Sequence, residues 1–121
     1  MPTYPVPRSV RDIARAAIKE NMSLPLPQRA AYKEENNKRV PGTGMRTARR
    51  LVSGRVDEQQ LILMRAWFAR HGKSKMETKK RKDRTSKASR AWRLWGGTGA
   101  IAWINTTLRM IERERAKKSK K

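Results

Sequence analysis

The chain has 121 residues, with 31 Lys and Arg against 10 Asp and Glu, so its net charge of +21 calls for a polyanion: nucleic acid first, an anionic membrane surface second, an acidic protein third. It is long enough for one domain with tails, and the absence of cysteine excludes a disulfide framework and thiolate metal sites. No apolar run approaches the ~18–20 residues of a membrane span, and the start, MPTYPVPRS, lacks the apolar stretch of a signal peptide.

Taken in order, Pro2, Pro5 and Pro7 predict an extended arm over residues 1–8. Ser9 reads as a helix cap with Asp12 completing a capping-box variant. Val10, Ile13, Ala14, Ala17 and Ile18 form one helical stripe, which predicts a short basic amphipathic helix ending near Asn21. Pro25 and Pro27 break the chain, residues 28–36 carry a thin helical pattern, and NNKRVPGTG at 36–44 reads as a loop. The next helix is expected over 45–52 with Ala48, Leu51 and Val52 inward, closed by Ser53-Gly54. Asp57 caps a helix over 58–70, whose Leu61, Met64, Trp67 and Phe68 share a face that Ile62 and Leu63 widen, and His71-Gly72 closes it.

Residues 73–87 are dense in like charge and predict an extended, mobile linker. Ser86 then caps a helix with Ala88, Ala91, Trp92 and Trp95 on one face and Lys87, Arg90 and Arg93 on the others. Gly96-Gly97 marks a sharp corner, after which Thr98 caps a last helix. That helix carries one stripe of Ile101, Ile104, Leu108 and Ile111 beside a second of Ala100, Trp103, Thr107 and Met110, and the apolar pattern stops at Glu112. No strand is expected. The fold class is therefore all-α: four to five short helices, divided into an N-terminal arm with one basic amphipathic helix (1–42), a helical core (43–112) interrupted by the basic linker 73–87, and a lysine-rich tail (113–121).

Several motifs have plainer readings than their chemistry suggests. PGTGMRT at 41–47 lacks the preceding strand and the Lys-Ser/Thr pair of a phosphate loop, and reads as a glycine turn. Gly96 to Gly99 open a helix and could bind a phosphate there, but the flanking tryptophans favour a packing corner. The single histidine, His71, suits a helix C-terminus, and no metal site, nucleophile set or carboxylate pair follows from spacing. Most carboxylates read as surface partners, such as Glu112 and Glu114 among Arg109, Arg113 and Arg115. Residues 51–68 resemble a helix-turn-helix in outline, but Glu58 at the start of the second helix would meet phosphates badly.

Three blocks carry a family resemblance: Thr47-Ala-Arg-Arg-Leu-Val-Ser-Gly54, Met64-Arg-Ala-Trp-Phe-Ala-Arg-His71, and AWRLWGGTGAIAW at 91–103. Together they resemble a small module of tailed-bacteriophage proteins, sometimes encoded near head-assembly functions. Its pattern has a Met-x-x-Phe-Phe-x-Arg-His block and an Ala-Trp-x-x-Trp-Gly-Gly block. Thr98 stands where that pattern favours an acid, and the lysine-rich linker stands where relatives are richer in Pro and Gly. The resemblance implies a helical fold and a phage setting, in the host-cell cytoplasm or the virion, and transfers no catalytic residue.

The expected function is accordingly non-enzymatic binding of nucleic acid, DNA before RNA, through phosphates and with little sequence preference. The candidate contacts are Lys73, Lys75, Lys79, Lys80, Arg81, Lys82, Arg84, Lys87 and Arg90 along the linker, Arg8, Arg11 and Arg15 on the first helix, and Lys117, Lys118, Lys120 and Lys121 at the end. Trp92, Trp95, Gly96, Gly97, Trp103, Met64, Trp67 and Phe68 are the expected structural core. No cofactor or metal is implied. The alternatives are a virion assembly protein whose aromatic core docks on a capsid or head component, and an RNA- or ribosome-associated protein. Membrane binding ranks last, because the first helix lacks large aromatic anchors.

Overall fold

The computed structural model describes residues 2–119. The fold is predominantly helical but not all-α, since two small antiparallel sheets join the helices. The N-terminal arm is pinned. Strand β1 (Thr3–Pro5) pairs with β4 (Arg55–Asp57), in register Tyr4 to Val56. Arg55 adds bonds of 2.8 Å to both the hydroxyl and the carbonyl of Thr3. Val6, just beyond, is buried and donates its N–H to the Gly54 carbonyl at 2.9 Å.

Helix α1 (Arg8–Met22) starts earlier than its sequence cap suggests. Pro7 occupies the cap position and no side chain caps the helix, while Asp12 lies against Arg8 and Arg15. Val10, Ala14 and Ala17 form the buried stripe, and Ile13 lies partly outside it. The two alanines are fully buried and bring α1 close to its neighbours, α2 (Thr43–Val52) and α5 (Lys87–Leu94). Asn21, also fully buried, uses its amide as a clamp: Oδ1 accepts from the Ala30 N–H at 2.8 Å, and Nδ2 donates to the Ala30 carbonyl at 3.0 Å. This satisfies both backbone groups of a residue that the next strand hangs from.

In place of the thin helix over 28–36 there is a 3-10 turn (Leu26–Gln28) and then a β-hairpin, β2 (Tyr32–Glu35) against β3 (Lys38–Pro41). Asn36 and Asn37 both take positive φ, the requirement of a two-residue type I′ turn. The glycines that follow serve packing. A Cβ at Gly44 would stand 2.7 Å from the Ala31 Cβ and 3.1 Å from the Trp95 indole nitrogen, so this turn is a close approach of α2 to its surroundings.

Helix α3 (Glu58–Gly72) begins as expected, with the Asp57 carboxylate accepting from the Gln60 N–H at 2.8 Å. It buries Leu61, Met64 and Phe68 against α6 (Gly99–Ser119), while Ile62 and Leu63 stay exposed. Residues 73–87 are not an extended linker. They contain α4 (Lys75–Arg81), capped by Ser74, and a turn in which Asp83 accepts from both the N–H and the hydroxyl of Thr85. Ser86 caps α5 by accepting from the Ser89 N–H. The buried face of α5 is Ser89, Arg90 and Leu94. Trp92 is half-buried beside that face.

At the Gly96-Gly97 corner the Gly97 N–H donates to the Trp92 carbonyl and the Gly96 N–H to the Arg93 carbonyl, both at 3.0 Å. That is a Schellman motif, with Gly96 in the left-handed region at φ +108°. The aromatic cluster packs over the corner. Trp67 stacks on Trp95 at 4.6 Å and 10°, and Phe68 meets Trp92 edge-on at 4.8 Å. Trp103 packs half-buried at the margin of the core. Thr98 accepts the Trp92 indole N–H at 3.0 Å. The last helix does not stop at Glu112: it runs to Ser119, so the described part of the lysine tail is helical, held on one side by Arg115 to Glu58 at 2.6 Å.

Candidate nucleic-acid interface

The charge of α4 and the turn after it is set by sequence, but its presentation is set by two local devices. Ser74 and Glu77 stand at the cap and third positions of α4, and the Glu77 N–H donates to the Ser74 hydroxyl at 3.2 Å. Glu77 also reaches back, its Oε2 lying 2.8 Å from His71 Nδ1. Arg81 places its guanidinium 3.9 Å from the centre of the Trp92 ring and donates to the His71 carbonyl at 3.3 Å. No α4 residue is buried, so these polar and cation–π contacts, with Ser86 donating to the Lys80 carbonyl at 2.8 Å, dock the helix.

The consequence is electrostatic. The segment holds two carboxylates, and both are engaged: Glu77 by His71, and Asp83 by Thr85, whose two hydrogen bonds hold the Asp83 carboxyl below its usual value and keep it charged. Among the described residues, Lys73, Lys75, Lys79, Lys80, Lys82, Arg84 and Lys87 form no ion pair. All seven are exposed. They stand as solvated point charges on an ordered scaffold, the arrangement that phosphate oxygens meet most readily.

The other candidate cations separate into distinct roles. Arg90 is not a surface contact. It is buried at 5% exposure and donates to the Thr85 carbonyl and, at 2.7 Å, to the Gln28 carbonyl, tying α5 to the turn before β2. Arg93 pairs with Glu20 across from α1, and this hydrogen bond chiefly holds the Glu20 carboxyl below its usual value, despite the opposing effect of burial. Arg81 is half-committed to Trp92 and His71. Arg8 and Arg15 flank one carboxylate, Asp12, and Arg11 is half-buried. Lys117 and Lys118 lie exposed on the last turns of α6, beyond Ile111, and Lys117 pairs with Glu114 at 3.8 Å. Lys120 and Lys121 lie outside the described residues. Glu112 forms no ion pair among the described residues, and Arg115 reaches Glu58 rather than the acids beside it, which raises the Arg115 pKa further.

Two cations that sequence reasoning passed over join the α4–α5 group. Arg29, before β2, and Arg39, on β3, line one groove with Lys80 and Lys87. The signal was the Asn-Asn turn between Glu35 and Lys38, which folds residues 32–41 back toward the helices. Among the described residues no cluster of His, Asp and Glu has the makings of a metal site, and no helix is long and apolar enough to cross a membrane. Comparison of the chain with family models, with curated proteins and with solved structures finds no match. The likeness to the phage module rests on the three sequence blocks alone.

Proposed function

We propose that this protein is a non-enzymatic nucleic-acid-binding protein of a phage-infected cell or its particle, gripping DNA through phosphates with low sequence specificity. The observation that carries the reading is the α4–α5 segment, whose exposed lysines form no ion pair while its two carboxylates are engaged by His71 and Thr85. Lysine predominates there, and a lysine is a point charge for a phosphate rather than a planar fork for a base edge. The three sequence blocks, the Trp-Gly-Gly block above all, support the phage setting, and with it the host cytoplasm or virion as the place of action.

The test uses exposed residues outside the aromatic cluster. Replacing Lys75, Lys79 and Lys82 together by alanine lowers affinity by a similar factor for several unrelated DNA sequences in an anisotropy titration, since each lost phosphate contact carries no base identity. A loss confined to one sequence, or a parent that prefers one sequence by about 10³ or more, contradicts the reading.

A second reading, an assembly protein, draws on a narrower observation. The aromatic residues are engaged inside the domain, but Ile62 and Leu63 stand side by side on α3, 38% and 41% exposed. Co-purification with head components that survives nuclease treatment and is lost in the Leu63→Glu variant supports it.

A further inference from the structure

The β2–β3 hairpin and the start of α5 face each other across an open groove of about 520 Å³. Its chemistry is mixed in a particular way. Arg39 and Lys87 come from opposite walls, Lys80 from the last turns of α4, and the floor is made by small side chains, Ala88 among them. Tyr32 stands at one side, held by Arg29, whose Nη1 donates to the phenol oxygen at 3.2 Å while Nε donates to the Leu24 carbonyl. Glu77 also lines the groove, with its carboxylate turned onto His71 at 2.8 Å. A cationic rim over an apolar floor with an aromatic side is suited to a phosphate carrying a flat apolar ring, and the open shape leaves a chain room to enter and leave.

We propose that this groove takes a nucleotide of a single-stranded nucleic acid, with the phosphate among Arg39, Lys80 and Lys87 and the base laid along the alanine floor beside Tyr32. The inference rests on the phosphate-binding reading above and adds a substrate class to it. A duplex keeps its bases stacked inside and cannot lay one in this groove, so its phosphates do not seat there, whereas a single strand offers an unstacked base with every phosphate. The protein therefore prefers single strands to duplex, and the preference resides in the groove while the remaining lysines act on both forms alike.

The experiment titrates the full chain against labelled oligo-dT and oligo-U of roughly twelve nucleotides, within the site sizes of small single-strand binders, and against a duplex of the same length. Two variants probe the groove. Ala88→Leu fills the floor without altering charge, and Arg39→Gln removes one rim cation from the hairpin. Lys117→Ala with Lys118→Ala is the control outside the groove. Ala88→Leu is expected to lower single-strand affinity ~10-fold, the scale of one lost base contact, while duplex affinity stays within about twofold. Arg39→Gln weakens single strands more than duplex, and the control weakens both equally. The dT and U arms show whether the groove takes DNA, RNA or both. If Ala88→Leu lowers the melting temperature, Arg39→Gln decides. Variants that melt like the parent yet affect both forms equally, or neither, overturn the groove assignment and leave phosphate binding standing. A parent that binds neither form overturns both.

Discussion

At the scale of single residues, Gly96 tests the packing corner most sharply. A Cβ there would lie 2.9 Å from both the Ala100 Cβ and the Val10 Cγ1, at a φ of +108°. Gly54 supplies the contrast, with φ +99° and nothing within 4 Å of an added Cβ. Gly54→Ala therefore isolates the backbone cost, about 1 kcal/mol, and Gly96→Ala adds steric strain for a total of about 2–4 kcal/mol, both read by urea unfolding. Equal losses at the two sites would show that the corner is not tightly packed. Glu20 and Arg93 give a pH dependence whose sign is fixed. The folded pKa of Glu20 lies below its unfolded value, so the stabilisation is full above the unfolded glutamate pKa and is lost as pH falls through the folded one. Arg93→Met flattens the acid side of the stability profile between about pH 5 and 3, measured by thermal melts in that range. A parent and variant with parallel acid limbs would contradict the pairing.

At the scale of elements, α4 is the exposed case. A fully buried Leu or Met contributes roughly 1.5–3 kcal/mol, and α3 has two, Leu61 and Met64, whereas α4 buries none. Its order depends on the Ser74 cap and on Arg81 over Trp92. Arg81→Gln combined with Ser74→Ala speeds amide exchange across α4 about tenfold or more and leaves α3 and α6 protected as in the parent. Exchange that rises uniformly over all helices would mean that α4 is integral to the core. The same element shows where sequence legibility ended. The capping pattern Ser74-x-x-Glu77 lies in this stretch, with Ser74 accepting from the Glu77 N–H, but the like charge of the surrounding lysines favours an extended chain and masks that signal. The β2–β3 hairpin was hidden for another reason: Tyr32 to Glu35 lacks apolar alternation, and its only signal was the Asn36-Asn37 turn. β1 is set by pairing with residues about fifty positions away, which no local pattern encodes. By contrast α3, the start of α5 at its Ser86 cap and the glycine corner were legible, since each has a cap or glycine at the boundary, but the inward face of α5 was not: Ser89, Arg90 and Leu94 are buried, while Ala88, Ala91 and Trp92 are only half-buried. Within the candidate site the exposed lysines of 73–87 were legible, and Arg90 was not, because its burial depends on the Gln28 carbonyl, sixty-two positions away, which no local pattern encodes.

At the scale of the whole molecule, the fold separates its two tasks. The aromatic cluster, the Asn21 clamp and the Gly96-Gly97 corner hold the helices together, and the densest run of charge, Lys73 to Lys87, lies outside that core on α4 and the turn after it. The excess of +21 has few internal partners, since the described ion pairs involve seven cation–carboxylate contacts, one of them through His71. Cations without internal partners are available to displace the counterions condensed on DNA, whose release makes binding salt-dependent. The most direct measurement is the affinity for mixed-sequence DNA as a function of salt. With ~6–10 phosphates engaged, the binding constant falls by about 10³–10⁵ between 50 and 200 mM salt, along a straight line in log–log form. Binding that changes by less than about tenfold over that range would contradict a phosphate-driven interface.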